Sequence, residues 1–228
     1  MQSIMLDAWA ARTCAVKTWN RFAPGVEEPD RDPITPDESL RDSFEGGLNF
    51  RDQVLEALLA TCRVAITDLR PMRATASAEQ EAACLDAVEH GDPVVLAGLL
   101  PPDRAGHRSG RPDLWVRGAD RADGRPGYHP VVIARRLVTE RRQSGERNSW
   151  TVHVSSLANP AYAAARVADD RAIRSRRDGV LLQIAHYWRL LEAIGYAADG
   201  PPIAGIVGTD EYAAPGEVSI TWVPLAEP

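Results

Sequence analysis

Lysine is almost absent from this chain of 228 residues: Lys17 is the only lysine, and the other 25 basic residues are arginines. Any mechanism that needs a lysine amine therefore depends on Lys17. Cysteine is also scarce, and Cys14, Cys62 and Cys84 form no Cys-x-x-Cys pair. Three thiolates alone build neither a four-cysteine zinc site nor an iron–sulfur cluster. An odd number of widely spaced cysteines favours a reduced, cytoplasmic protein.

Long hydrophobic runs are missing as well. No apolar run approaches the roughly 18 residues that a membrane span needs, and residues 1–7 lack the basic and apolar regions of a signal peptide. The hydrophobic fraction of 44% and the charged fraction of 25% are those of an ordinary globular protein. We therefore expect no membrane partner.

The charges are unevenly distributed. The formal net charge of the chain is −6, yet residues 101–147 hold 11 basic and 6 acidic side chains. An acidic whole excludes general coating of nucleic acid, whereas a basic middle segment leaves room for a local phosphate-binding face. A solvated, arginine-rich loop explains the same pattern, so that alternative stays open.

The hydrophobic pattern predicts an α/β protein. It predicts helices over 3–22, from Asn49 and from Ser77 to His90, and a polar loop over 26–38 between the first two. Predicted strands cover 64–69, 94–100, 113–117, 128–134, 151–155, 203–207 and 218–222. Residues 139–149 are predicted to form a flexible loop and 160–194 a helical region that ends at Gly195.

This order predicts a central mixed β-sheet flanked by helices. We expect a single domain over residues 1–228, with a helical N-terminal part (1–75) and a sheet-containing core (76–228). On the last helix, the pattern places Leu182, Ala185, Leu190 and Ile194 on the buried side.

Three groups of polar residues could carry chemistry. Asp113 ends the segment Gly110-Arg-Pro-Asp113 and opens a strand, where it could hold a divalent metal or cap its own turn. Gln183 and Tyr187 are four residues apart on one helix face, so they could point into a cleft or be satisfied core groups. Glu79 and Glu81 suit the first turn of a helix, or one of them faces the Asp113 strand.

The order of these groups resembles the RecB-like PD-(D/E)XK nucleases, and more narrowly the nuclease-like module of actinobacterial RecB-like recombinase proteins. The segments Asp7–Asn20 and Gly106–Leu114 are also similar to that module. The resemblance implies a restriction-endonuclease-like fold and a site in which Asp113 and Glu79 or Glu81 hold Mg²⁺ or Mn²⁺. It implies catalytic roles for the set Asp113, Gln183, Tyr187 and Glu81.

The next strand departs from the family pattern. The family has an acid and, two residues later, a lysine, where this chain has Val132 and Ala134. The iron–sulfur members of the family are not matched, because no cysteine follows Cys84. We therefore expect a nuclease-fold module with degraded chemistry that acts in DNA binding or in protein interaction. An active metal-dependent deoxyribonuclease and an unrelated α/β protein-interaction domain are the alternatives.

Arginines flank the Asp113 segment where the family's DNA would run. The predicted phosphate contacts are Arg104, Arg108, Arg111, Arg135 and Arg136, because the guanidinium fork binds phosphate oxygens in pairs. The competing interpretation pairs these arginines with Asp103, Asp120 and Asp123. The partner is then another protein, or further domains of a longer protein.

Overall fold

A computed structural model describes residues 4–13, 15–23, 38–142, 151–174, 178–212 and 217–226. The helices are α1 (Ala8–Arg12), α2 (Ala15–Phe22), α3 (Glu38–Thr61), α4 (Ser77–His90) and α5 (Asp178–Ile194), with 3₁₀ turns at Arg70–Ala74 and Tyr162–Ala164. The first strands are β1 (Ile66–Asp68), β2 (Val94–Leu96), β3 (Leu114–Arg117), β4 (Tyr128–Ile133) and β5 (Thr139–Arg141). The later strands are β6 (His153–Ser156), β7 (Arg166–Val167), β8 (Arg171–Ile173), β9 (Ile203–Val207) and β10 (Ser219–Pro224).

Eight strands form one mixed sheet in the order β1-β2-β3-β4-β9-β10-β6-β7. The pairs β1/β2 and β4/β9 are parallel, and the other neighbours are antiparallel. β5 and β8 form a separate antiparallel pair. The predicted α/β class with a mixed sheet and flanking helices is therefore confirmed.

The two parallel pairs explain where the helices lie. β1 connects to β2 through α4, and β4 connects to β9 through a longer segment that contains α5. β1 and β4 run in the same direction, and both connections step the same way across the sheet. Right-handed crossovers then place both helices on the same face. Residues of α4 and α5 do share one core cluster.

Alternation along the central strands divides the core into two layers. Leu114 and Val116 of β3 pack with Leu58 of α3 on one face of the sheet. Trp115 faces the other way and packs with residues of α4 and α5. α1 packs against α5 outside this second layer. Among the described residues, no helix is long and apolar enough to cross a membrane.

Two sequence predictions for the region after β4 were wrong. Residues 139–141 are strand β5, because Asp210 accepts hydrogen bonds from the backbone N–H groups of Val138 and Thr139 and fixes this segment. Residues 162–173 form a 3₁₀ turn and two short strands, and the helix begins only at Asp178. Residues 143–150 and most of the predicted loop 26–38 lie outside the described residues.

Candidate functional site

The topology brings the predicted site to one end of the sheet. The carboxyl ends of the parallel strands β1 and β4 lie there, together with the start of the antiparallel strand β3. Asp113 immediately precedes β3, and its carbonyl accepts a hydrogen bond from Ala97 just beyond β2. In open α/β sheets, ligands bind at the carboxyl ends of parallel strands. The position suits a binding site.

Asp113 is a largely buried carboxylate with two partners. Its Oδ1 atom accepts a hydrogen bond from Nε of Arg51 on α3. Its Oδ2 atom accepts one from the backbone N–H of Ile133, at 2.6 Å. Burial raises the pKa of Asp113, and Arg51 opposes that rise. A guanidinium thus stands against Asp113 where the family would bring a metal ion.

The Gly110–Asp113 segment is fixed to α5 through Tyr187. A Cβ atom at Gly110 would lie 2.6 Å from Cε1 of Tyr187, and the Tyr187 hydroxyl donates to the carbonyl of Arg111 at 3.0 Å. Burial raises the pKa of Tyr187 to about 12, so its hydroxyl stays a donor at neutral pH. Gly110, Asp113 and Tyr187 therefore belong to one local arrangement.

Gln183 lies at the edge of this arrangement. Its side-chain oxygen accepts a hydrogen bond from Arg12 of α1 at 3.1 Å, and Gln183 also interacts with Tyr187. The predicted buried side of α5 was partly wrong, because Leu182 is 50% exposed. Leu190 is buried as predicted, and Ile184, Tyr187, Trp188 and Leu191 complete the buried side. The buried stripe is rotated toward Tyr187, which leaves Gln183 at its border.

At the two positions where the family has an acid and a lysine, β4 and the residue after it offer no ligand for a metal. Val132 is 2% exposed and packs in the apolar layer with α4 and α5. Ala134 follows β4, and its backbone N–H donates to the carbonyl of Val207. Neither side chain can bind a cation or orient a water molecule.

On α4, the residue that reaches the Gly110–Asp113 segment is Gln80. Its amide nitrogen donates to the carbonyl of Thr75 at 2.7 Å, and its oxygen accepts a hydrogen bond from Arg111. Glu79 is exposed and Glu81 is only partly buried. The spacing of Gln80 with the buried Cys84, Ala87 and Val88 is that of one helical stripe, and this signal could have identified Gln80 from the sequence.

The residues present at this end of the sheet do not fit a divalent cation. Mg²⁺ and Mn²⁺ prefer several oxygen ligands, usually carboxylates. Asp113 is paired with Arg51, and Gln80 with Arg111. In the described part of the chain, no group of three or more His, Cys, Asp and Glu side chains could hold a metal.

The five predicted phosphate-binding arginines do not share one environment. Arg111 lies in the site, and the guanidinium of Arg135 lies against Gly46 of α3. Arg108 forms a 2.7 Å ion pair with Asp103, as the competing interpretation predicted for that residue. Arg104 and Arg136 are exposed.

The other two expected acidic partners are occupied elsewhere. Asp120 pairs with Arg117 at 2.7 Å, and Asp123 pairs with Arg125 at 2.7 Å. Asp120 and Asp123 therefore pair with arginines outside the five predicted phosphate contacts.

Sequence reasoning missed two arginines that lie near Asp113. Arg51 comes from α3, and Arg73 comes from the 3₁₀ turn that follows β1. Partial burial and then repulsion from Arg51 and Arg111 lower the pKa of Arg73, while Asp113 acts in the opposite direction. Both belong to residues 1–100, an acidic segment with 9 basic and 17 acidic side chains, so counting charges along the chain gave no signal for them.

An apolar recess of about 540 Å³ lies elsewhere, between the N-terminal segment, α1 and α2. Its lining consists of Ile4, Leu6, Ala10, Ala11, Thr13, Thr18, Trp19, Phe22 and Ala23. Its described lining contains no charged side chain and none of the predicted site residues. It does not suit a phosphate group.

Comparison with known proteins identified no relative. No protein-family model matches the chain, and neither a curated protein nor a solved structure matches it.

Proposed function

We propose that this protein is a RecB-like, restriction-endonuclease-like module that has lost metal-dependent cleavage and binds DNA at the Asp113 end of its sheet. One observation carries the proposal. Arg111, within Gly-x-x-Asp, and Tyr187, within Gln-x-x-x-Tyr, are 76 residues apart in the chain yet joined by a hydrogen bond. The motifs that the resemblance pairs in a site are in contact.

The loss of cleavage follows from the side chains around Asp113. Phosphodiester hydrolysis by this family needs a metal that stabilises negative charge and an activated water. Val132 and Ala134 supply neither a second carboxylate nor an amine, and Gln80 is a neutral amide. The positive charge that pairs with Asp113 is the guanidinium of Arg51.

A digestion assay tests the loss of cleavage. The purified protein is incubated with single- and double-stranded DNA in Mg²⁺ and in Mn²⁺, beside an Asp113→Ala variant. We expect no cleavage above the level of that variant. Robust cleavage that disappears in Asp113→Ala would instead support the active-nuclease alternative.

DNA binding is supported by the arginines that remain available at this end of the sheet. Arg135 and Arg136 are exposed and lie two and three residues beyond Ile133, whose amide binds Asp113. Each phosphate contact contributes about −0.9 to the slope of log affinity against log salt on duplex DNA. We expect the Arg135→Ala/Arg136→Ala variant to bind more weakly, with a slope less steep by up to about 2.

The control for this salt titration is Arg166→Ala/Arg189→Ala, which removes the same charge from exposed positions on β7 and α5. It should keep the affinity and slope of the wild type. If both double variants bind like the wild type, Arg135 and Arg136 do not contact the DNA. If no binding occurs at low salt, DNA binding fails and a protein partner becomes the better hypothesis.

A further inference from the structure

Arg51 contacts Asp113, Arg73 interacts with it electrostatically and Arg111 precedes it by two residues, and among the described residues only Arg51 has a carboxylate partner. Arg51 pairs with Asp113. Arg111 binds the neutral side chain of Gln80, and its Nε atom is buried with no acceptor among the described residues. Arg73 is exposed and forms no hydrogen bond or ion pair with any residue that the structure describes. The group Arg51, Arg73, Arg111 and Asp113, called the arginine cluster below, therefore carries a formal charge of about +2 at neutral pH.

A chain of contacts connects the members of the arginine cluster. Arg73 lies in the last turn of the 3₁₀ segment that Thr75 ends. The Thr75 carbonyl accepts a hydrogen bond from Gln80, and Gln80 accepts one from Arg111. Arg111 in turn is two residues from Asp113, which binds Arg51. Residues from four separate segments thus meet at the carboxyl end of β1 and the start of β3.

We propose that the arginine cluster is a binding site for a phosphate monoester, such as the terminal phosphate of a nucleic acid strand. A phosphate monoester carries about −1.5 to −2 charges at neutral pH, which matches the excess of positive charge, whereas a diester inside a strand carries about −1. Guanidinium groups bind phosphate oxygens with short, charge-assisted hydrogen bonds. The choice of a nucleic acid as the source of the phosphate rests on the proposed function; a mononucleotide offers the same chemistry.

The role of Asp113 in the arginine cluster differs from that of a metal ligand. In a metal-dependent nuclease, Asp113→Asn would weaken the binding of the cofactor. In the arginine cluster, Asp113 is a counter-ion, so Asp113→Asn removes a negative charge beside the bound phosphate. The substitution should therefore strengthen phosphate binding by several-fold.

The experiment measures the binding of short, labelled oligonucleotides by fluorescence anisotropy. Three strands of one sequence are compared: one ends in a 5′-phosphate, one in a 3′-phosphate, and one has hydroxyl groups at both ends. Inorganic phosphate and a nucleoside monophosphate serve as competitors. A charge-assisted hydrogen bond contributes about 1.5–3 kcal/mol, and 1.4 kcal/mol is tenfold in affinity. We expect one of the phosphorylated strands to bind about tenfold or more tightly than the hydroxyl-ended strand.

The variant that tests the cluster is Arg73→Gln, because Arg73 has no described partner and its loss should leave the fold intact. It should remove most of the preference for the terminal phosphate while leaving the binding of the hydroxyl-ended strand within about twofold. The matched control is Arg166→Gln, an exposed arginine on β7 at the opposite edge of the sheet, which should keep the full preference. Thermal unfolding of each variant checks that the protein is folded.

Different results overturn different proposals. If all strands bind equally and inorganic phosphate does not compete, the phosphate monoester site is wrong, whereas DNA binding stands. If no strand binds but the mononucleotide or inorganic phosphate raises the unfolding temperature of the wild type and not of Arg73→Gln, the site stands and DNA binding is wrong. A preference that survives in Arg73→Gln would also overturn the site.

Discussion

Gly110 leaves no room for a side chain, because the ring of Tyr187 lies against its α-carbon. A Cβ atom there would approach Cε1 of Tyr187 to 2.6 Å, and the φ angle of Gly110 is +155°. We expect Gly110→Ala to lower the free energy of unfolding by about 2–3 kcal/mol through overpacking. Urea-induced unfolding measures this change.

Two further variants test whether contact with Tyr187 causes the loss of stability in Gly110→Ala. Gly47→Ala in α3 places a methyl group where, apart from its own helix, no atom of the described residues lies within 4 Å, so it should stabilise the protein by about 0.5–1 kcal/mol. In a Tyr187→Leu background the ring is gone, and Gly110→Ala should cost less. An equal cost of Gly110→Ala in both backgrounds would contradict the proposed contact.

His129 is buried in an aromatic cluster and makes the stability of the protein depend on pH. Its ring stacks on Trp188 with centroids 5.7 Å apart and meets Trp222 edge-on at 5.5 Å. Its Nδ1 atom lies 2.9 Å from the carbonyl of Ile203. Burial lowers the pKa of His129 because the imidazolium loses its hydration, although the Ile203 carbonyl opposes this. The folded protein therefore holds the neutral ring.

The sign of the pH effect follows from the unfolded chain. Below about pH 6.5 the unfolded state binds a proton that the folded state does not yet bind, so stability falls as the pH is lowered. We expect the free energy of unfolding to decrease between about pH 7.5 and pH 5.5, and to decrease less in His129→Leu. The exposed His90→Gln variant is the control and should follow the wild type. Equal slopes in all three proteins would show that His129 is not responsible.

The helix α4 ends at a glycine that the backbone requires. Gly91 has φ +81° and ψ 32°, and its N–H donates to the carbonyls of Ala87 and Val88. Left-handed backbone costs an L-residue about 1–2 kcal/mol. We expect Gly91→Ala to destabilise the protein by at least that amount, since its Cβ would also displace the Arg117 guanidinium. The measurement is the urea midpoint at constant m-value.

The variant Gly124→Ala distinguishes the cost of a left-handed backbone from the cost of displacing Arg117. Gly124 has φ +82°, and apart from its chain neighbours no atom of the described residues lies within 4 Å of a Cβ built there. Gly124→Ala should therefore show the backbone cost alone. If Gly91→Ala costs no more than Gly124→Ala, the Arg117 side chain moves aside freely.

The alanine-rich segment before α5 shows the limit of intrinsic helix propensity. Residues 161–165 contain four alanines, which favour a helix, but their small side chains bury little apolar surface. Short helices are marginal without such packing. Arg166 and Val167 instead pair with β6 at the edge of the sheet, and Arg171 to Ile173 pair with β5. Pairing with β6 and β5 therefore determines the secondary structure of residues 166–173.

Across the molecule, ion pairs change the meaning of the uneven charge distribution. Part of the basic segment 101–147 is neutralised locally, since Arg108, Arg117 and Arg125 each pair with a nearby aspartate. Two of the three arginines of the arginine cluster come instead from the acidic segment 1–100. The charge at a binding site therefore depends on which side chains the fold brings together, and not on how charges are distributed along the sequence.

Much of the framework was predictable because its signals are local. The apolar runs of β2, β3, β4, β9 and β10 lie between turn residues, and the glycines at 91 and 195 end α4 and α5 with positive φ. Strand alternation and helix capping act over a few residues, so a linear pattern reveals them. Gly110, Asp113 and Tyr187 were singled out by short motifs within single elements, taken together with the resemblance of their order to the nuclease family.

The partners of Asp113 were decided only by the tertiary structure. Arg51, Arg73 and Gln80 lie on α3, on a 3₁₀ turn and on α4, and none is close in sequence to residue 113. They meet because β1 and β4 run in the same direction, so their carboxyl ends lie at one end of the sheet, where Arg51 of α3 also contacts Asp113. A carboxylate that the sequence pattern offered as a metal ligand is therefore the counter-ion of an arginine, because burial requires a buried charge to be paired.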